Sequence, residues 1–498
     1  PRGRLSVTLR VAQVLCSIVL SGRLFAPRQE GRTLAARARE PPLTMNTQTP
    51  QILAPAGDPE SFLAALAAGA DAIYAGLKHF SARMQADNFS TTELARLAAL
   101  ARDKECKTYV PLNVLLKPGE EDQAGRLIER LARHVRPDAL IVQDLGLLSL
   151  ARQAGYEGEL HLSTLAAATH PASLAVAQRL GVSRVILPRE LSIDEIKAFA
   201  DVCPEGMDIE VFVHGALCYA VSGRCWWSSY LGGKSGLRGR CVQPCRRRYT
   251  RSGGPERLFS CRDLSLDVLT PLLLDTPRVS CWKIEGRKKG PHYVFYAVSA
   301  YKALRDGKGS PESKKAAQDY LDQALSRPRS HYGFLPQKPH PAVTPSESTA
   351  SGRFIGKVQG DPKGGLSISP REPLLRGDRL RVGFEDDLGH MVLLINAAVP
   401  KKGRYSFSAR GKQRGAQPPK PGTPVYLIDR REPELTALLS RLRAEFDAVR
   451  APEPAAAAFA PRLPFPAKPW GRAVRLDVHR RLPSGRRADA VGLWMKPG

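Results

Sequence analysis

Residues 51–76 read QILAPAGDPESFLAALAAGADAIYAG. Ile52 to Pro55 form a strand-sized apolar run, residues 60–68 follow a helical pattern, and residues 71–76 form a second short run. Strand, helix and strand in so few residues predict a parallel β–α–β unit. The alternation continues downstream, with strands expected over 107–114, 139–144, 159–164, 184–188 and 208–214. Helices are expected over 91–104, 123–135, 145–154, 171–180 and 193–202. Ser90 or Thr91 serves as a cap for the first of these, and Leu127, Leu131 and Val135 share one face of the second. After an interruption, an eighth strand is expected at 280–285 and a helix at 292–305. Eight strands alternating with helices predict a closed (β/α)8 barrel of the TIM type. An open doubly wound sheet is the competitor, but no G-x-G-x-x-G follows the first strand.

Such a barrel carries its chemistry at the carboxyl ends of its strands. Those ends supply Asn113, Asp144, Ser163, Thr164, Arg189, Glu190, His214, Glu285 and Arg287. His214, Glu285 and Arg287 are the expected catalytic group, facing one cavity. Asn113, Asp144, Ser163 and Arg189 are expected to bind a small co-substrate. Each has a plainer reading: Asp144 as a helix cap, Ser163 and Thr164 as turn residues, Glu285 and Arg287 as a pair bracing the rim. The planar fork of Arg287 suits a carboxylate of a small dianion.

The interruption leaves from the seventh strand, so it is expected to cover the mouth. Residues 214–248 read HGALCYAVSGRCWWSSYLGGKSGLRGRCVQPCRRR, with Cys218, Cys225, Cys241 and Cys245 spaced C-x6-C, C-x15-C and C-x3-C. From Val211 to Pro255 there is no Asp or Glu. Cationic surroundings stabilise thiolates, and four sulfur donors suit zinc or an iron–sulfur cluster. Structural zinc favours C-x2-4-C pairs, which this spacing lacks. Two disulfides or scattered buried thiols are the bland alternatives. The four are expected in one ligand shell, with Cys16, Cys106 and Cys203 elsewhere.

The chain has 498 residues, a net charge of +27 and nine cysteines at irregular spacing. That charge predicts a polyanionic partner, nucleic acid first and an acidic membrane surface second; an Arg-rich composition in general is the plainer reading. The cysteine usage fits a reducing cytoplasm rather than a secreted disulfide scaffold. Residues 1–44 carry eight Arg against Glu30 and Glu40, and their apolar run at 11–20 is too short to span a membrane. They are expected to be a disordered or non-native leader before Met45. The barrel with its cysteine-rich insertion (215–262) is expected over 45–333, a proline-rich linker over 334–350, a small β-barrel-like domain over 351–430 and a helix over 431–450. Residues 451–498 are expected to be a linker and the opening of a truncated further domain. Lys401, Lys402, Arg404, Arg410, Lys412 and Arg414 make a second basic patch suited to phosphates, or a solvated hairpin tip.

Five blocks together resemble the collagenase-like peptidase family, unassigned peptidase family thirty-two. They are 53–83 (LAPAGDPESFLAALAAGADAIYAGLKHFSAR), 184–196 (RVILPRELSIDEI), 210–233 (EVFVHGALCYAVSGRCWWSSYLGG), 239–249 (GRCVQPCRRRY) and 282–307 (WKIEGRKKGPHYVFYAVSAYKALRDG). The resemblance runs from Gln51 to about Gly333. It implies one of three activities: proteolysis, 5-hydroxylation of cytidine or uridine in ribosomal or transfer RNA drawing on prephenate, or oxygen-independent hydroxylation of a quinone precursor. It implies a 4Fe–4S cluster on Cys218, Cys225, Cys241 and Cys245. Some relatives place a cysteine after K-D-L; here R-D-L is followed by Ser265, which leaves Cys245 as fourth ligand with Cys261 as a stand-in. The family's D-P-N-x-G turn is replaced by KSGLRG. For a peptidase, the residues offer no H-E-x-x-H and no Ser/His/Asp set, only Cys218 beside His214. The expectation is an RNA hydroxylase with an iron–sulfur cluster (zinc as alternative), taking RNA and a small dianion such as prephenate as partners, with no membrane.

Overall fold

The structure, a computed structural model, describes residues 49–84, 86–251, 254–343, 345, 352–361, 365–384, 390–408 and 419–450. The leader with Cys16, the basic residues Arg410, Lys412 and Arg414, and the stretch 451–498 lie outside the described residues.

Strands β1 (Gln51–Ala56), β2 (Ala72–Ala75), β3 (Lys107–Leu112), β4 (Ala139–Val142), β5 (Glu159–Leu162), β6 (Arg184–Ile186) and β7 (Asp208–Ala216) pair in parallel in chain order. The strand at Val279–Ile284, β11, pairs in parallel with both β1 and β7 and so closes an eight-stranded barrel. The strands are short apolar runs because helices cover their outer faces and side chains fill the interior. The crossovers are α1 (Pro59–Ala67), α2 (Thr91–Asp103), α3 (Glu121–Arg130), α4 (Gly146–Gln153), α5 (Ser173–Arg179) and α6 (Ile193–Asp201).

Local chemistry sets their ends. Asp58 accepts from the Ser61 amide at 2.8 Å ahead of α1, with Pro59 at the first helical position. Ser192 and Glu195 form a reciprocal capping box on α6. The single helix expected over 123–135 is α3 followed by a wide π turn at Leu131–Val135, closed by left-handed Arg136.

The seventh crossover is almost all insertion. It holds α7 (Trp227–Gly232), the hairpin β8 (Tyr249–Arg251) and β9 (Gly254–Glu256), β10 (Asp263–Ser265) and a short helix α8 (Thr270–Leu274). Strand β10 pairs antiparallel with the outer end of β7. After β11 come α9 (Pro291–Asp306), α10 (Pro311–Gln323) and β12 (Arg329–Ser330), which pairs with β10. The first part of the expected linker is tied down: Val343 bridges to Cys261, and the Arg262 amide donates to the Ala342 carbonyl at 2.7 Å.

The C-terminal β unit is a separate antiparallel sheet curled into a half-barrel. Its strands are β13 (Arg353–Asp361), β14 (Gly365–Ile368), β15 (Arg379–Val382), β16 (Met391–Leu394), β17 (Tyr405–Phe407) and β18 (Pro424–Asp429), in the order β16-β15-β18-β13-β14-β17. Ile355, Val358, Leu380 and Leu427 are among its buried core. Helix α11 (Pro433–Ala448) then returns to pack on α1 and α2, burying Leu435, Leu439, Leu442 and Phe446. Each such side chain contributes about 2 kcal/mol by leaving water. Arg96 of α2 fixes the end of α11 by donating to the carbonyls of Phe446 and Val449 at 2.8 Å. No helix among the described residues is long and apolar enough to cross a membrane.

Candidate active site

Lys283, Glu285 and Arg287 alternate along the end of β11, so the two-residue period of a strand turns all three inward. They line a cavity of about 160 Å³ at the carboxyl end of the barrel, floored by Tyr74, Pro111, Ile141, Ile186 and Phe212. The Glu285 carboxylate is buried between two guanidiniums, with Arg83 Nη2 at 3.0 Å and Arg189 Nη2 at 2.9 Å. Burial alone would raise its pKa. The two arginines overcome that and hold it at about 2. Deeper in, Lys283 Nζ pairs with buried Glu210 at 2.7 Å and lies 4.4 Å from the Tyr74 ring centroid.

Arg287 is set up differently. It is buried, and it donates to neutral oxygens: Ser81 Oγ at 2.8 Å and Asn88 Oδ1 at 2.5 Å. Burial pulls its pKa down to about 10, still charged at neutral pH. Gly76 makes the room, because a Cβ there would fall inside the guanidinium. Among the described residues, Arg83, Arg189 and Arg287 thus face the cavity with one carboxylate between them. Arg189 Nε, Arg287 Nε and Thr164 Oγ1 are buried without a hydrogen-bond partner there. A buried surplus of positive charge with unfilled donors is a site for an anion.

The insertion forms the roof. Val221, Ser222, Gly223, Gly236 and Leu237 line the cavity beside Cys218, Cys225 and Cys241. It is fastened to four rim loops. Glu190, after β6, accepts from Ser222 N at 2.7 Å and Ser222 Oγ at 2.9 Å. Arg238 pairs with Glu120, after β3, at 2.6 Å, and the Leu115 amide donates to the Leu237 carbonyl. Gly223 lies against the Leu165 carbonyl after β5. Gly239, at φ 75°, lies against the Ser81 carbonyl after β2, where no side chain fits. Arg246 braces the insertion from within by donating to the carbonyls of Cys261 and Leu217 and to Ser260 Oγ.

All eight described cysteines are free thiols. Cys218, Cys225 and Cys241 line the cavity together. Cys245 is not among the lining residues, and burial pushes its thiol up to about 12. Cys241 Sγ accepts from Ser228 Oγ and the Gln243 amide, both at 3.4 Å. Among the described residues no three His, Cys, Asp or Glu side chains are grouped to hold a metal ion, so the four thiols do not form a closed ligand shell. Cys106 and Cys203 lie at the opposite end of the barrel, before β3 and after α6.

Of the expected rim residues, Asn113, Ser163, Thr164, Arg189, Glu285 and Arg287 line the cavity. Asn113 also anchors the rim by accepting from the Ala82 amide at 2.9 Å. Ser163 caps a short turn by accepting from the Leu165 amide. Three residues belong elsewhere. Asp144 accepts from the Leu116 and Gly146 amides at 2.9 Å and holds the loop. Glu190 is the roof latch. His214 is buried outside the cavity, with Nδ1 at 3.2 Å from Ser265 Oγ and its ring between Tyr293 and Tyr301. A register shift between β7 and β11, where Lys283 pairs with Phe212 but Ile284 with His214, changes the phase of β7 and turns the imidazole away. Burial holds that imidazole neutral, at about 4. A Cys218–His214 dyad is therefore not assembled at the cavity. The residues missed from sequence are Arg83, Tyr74 and Lys283. Only Lys283 carried a signal, the two-residue period with Glu285 and Arg287.

Residues 57–344 match the family model of peptidase family U32. The chain belongs to that family. Its U32 relatives include a collagenase of Porphyromonas gingivalis, 35% identical over 52% of this chain and 66% of that protein. A 23S rRNA 5-hydroxycytidine synthase of Escherichia coli is 32% identical over 68% of this chain and 53% of the relative. The tRNA hydroxylation protein P of Escherichia coli is 38% identical over 42% of this chain and 45% of the relative. The chain thus spans about half to two thirds of the length of these relatives.

Proposed function

We propose that this U32 chain is an RNA-modifying hydroxylase, acting in the cytoplasm on a pyrimidine of ribosomal or transfer RNA. The observation that carries the reading is the roofed cavity faced by three guanidiniums, of which Arg83 and Arg189 pair with its one carboxylate and Arg287 does not. Such a site recognises a small dianion, and a prephenate-like hydroxyl donor fits that chemistry. Arg287 and Arg189 would orient its carboxylates, Glu285 would keep Arg189 aimed while Ser81 and Asn88 hold Arg287, and the roof would exclude water. The target base must leave its stack to meet the donor, since chemistry on the ring needs an extruded nucleotide. The names of the U32 relatives and the +27 charge support RNA as the polyanion.

Cys218, Cys225, Cys241 and Cys245 would hold a 4Fe–4S cluster, with Cys261 adjacent. All four are free thiols, three of them line the cavity together, and the donor set is soft, as such a cluster requires. When bound, the cluster would supply electron transfer at the cavity wall. Replacing a ring C–H by C–OH is a two-electron oxidation, so a redox group and a reducible donor belong in the reaction. The test is to delete the gene and compare nucleoside masses of total RNA, with iron and sulfide assayed in the purified protein. Loss of a 5-hydroxypyrimidine supports the reading; unchanged nucleosides overturn it. A protein with bound zinc and no iron would assign the thiols to zinc.

A further inference from the structure

Trp226 and Trp227 are consecutive, yet the fold uses them in opposite ways. Trp227 is half-buried in an aromatic cluster, stacked on Tyr249 with centroids 5.8 Å apart and edge-on to Phe259 at 5.0 Å. Tyr219 closes that cluster against Phe259 at 5.1 Å. Trp226 is turned outward by about 100°, the rotation between neighbours at a helix start, and it is 63% exposed. Tyr230 is four residues on, its amide donating to the Trp226 carbonyl at 3.0 Å, and it is 58% exposed. Residues at this spacing stand side by side on one helix face. The two side chains are thus both largely exposed at the start of α7, on a base that the aromatic packing of Trp227 holds.

Large rings left in water have a cost that a monomeric surface ordinarily avoids. Their surroundings identify the occupant. Cys225, the residue before Trp226, lines the cavity, so the start of α7 adjoins the cavity wall. Arg224, Lys234, Arg240 and Arg247 are exposed nearby in sequence, and no carboxylate occurs between Val211 and Pro255. Aromatic faces interleaved with cations at the edge of a ring-sized pocket match single-stranded nucleic acid, whose bases stack while its phosphates pair.

We infer that Trp226 and Tyr230 form a base-stacking platform on the roof, which receives unpaired nucleotides flanking the one that enters the cavity. The inference rests on RNA being the substrate and adds its form: an unpaired segment rather than a duplex. The test uses the full chain and a labelled RNA of about twelve nucleotides, single-stranded or annealed to its complement. Trp226→Ala weakens single-strand binding about tenfold and Trp226→Phe restores most of it, because stacking needs a ring and not an indole N–H. The salt dependence stays as in the parent, since no phosphate contact is lost. Duplex binding is unaffected. Parent-like single-strand affinity in Trp226→Ala/Tyr230→Ala overturns the platform and leaves RNA as substrate. A parent protein that binds neither RNA form overturns both. Loss of sedimentation with phosphatidylserine vesicles in the double variant, with RNA affinity intact, assigns the rings to a membrane surface and overturns the proposal. Circular dichroism confirms the fold of each variant.

Discussion

Arg189 Nη2 lies 2.9 Å from Glu285 Oε2, which ties the loop after β6 to the end of β11 across the intervening β7. With Arg83 on the other oxygen, this buried pair holds the Glu285 pKa at about 2, below the ordinary carboxylate value near 4.3. A depressed carboxylate contributes stability that is present above its unfolded pKa and lost as pH falls through its folded one. The contribution is on the order of 3 kcal/mol and disappears between about pH 4.5 and pH 2. Glu285→Gln should therefore be less stable than the parent at pH 7, with the gap closing by pH 2. Urea unfolding followed by circular dichroism across that range checks it.

Under the proposed function Arg287 binds the small dianion. Arg287→Ala should lower hydroxylation by at least about a hundredfold, the usual loss when one member of a buried charge pair is truncated. Iron content should stay at the parent level. Arg287→Lys keeps the charge but not the planar fork, and should recover only a small part of the activity. Calorimetric titration with prephenate separates lost binding from lost chemistry. Full activity in the alanine variant would make the residue a rim brace.

Gly76→Ala acts on the same group from the backbone. The new methyl falls inside the Arg287 guanidinium, so the arginine must move or the strand must shift. Overpacking of this kind costs about 1–3 kcal/mol. Dianion binding should weaken as in Arg287→Ala although no charge is removed, and a thermal melt should show the lost stability.

The barrel was legible because each strand and helix repeats the local pattern of residues 51–76, and period and length alone separate them. The cavity was half legible. Glu285, Arg287, Arg189 and Asn113 follow from their positions at strand ends. His214 does not, because one register shift on β7 changes which face its side chain takes, and no residue type announces that shift. Asp144 and Glu190 look like site carboxylates in sequence, but backbone amides and Ser222 take them up. Arg83 lies on an irregular loop with no period to place it. Arg246 is a strut, since carbonyls of its own insertion surround its guanidinium.

One of the roof's four fastenings rests on a single carboxylate. Glu190 accepts both the amide and the hydroxyl of Ser222. Charge-assisted hydrogen bonds contribute about 1.5–3 kcal/mol. Glu190→Ala should raise the rate of trypsin cleavage at Arg224, Lys234 or Arg240 about tenfold or more, because local opening precedes cleavage. Ser222→Ala retains the amide donor and should show a smaller rise.

The three arginines that follow Cys245 should separate into two roles. Arg246 is half-buried and donates to Ser260 Oγ and to the carbonyls of Leu217 and Cys261, whereas Arg247 and Arg248 are exposed. Arg246→Ala leaves buried carbonyls unpaired and should loosen the insertion, so that Cys245 and Cys261 react faster with a thiol reagent and iron content falls. Arg247→Ala/Arg248→Ala should leave thiol reactivity and iron unchanged. In that variant RNA binding weakens across sequences alike, because phosphate contacts position the chain and do not read bases. Each lost contact to a single strand removes about 0.7 from the slope of log affinity against log salt, so the double variant should lose about 1.4. An unchanged slope with iron intact would remove this face from the RNA path and leave the exposed patch at Lys401, Lys402 and Arg404 as the next to test.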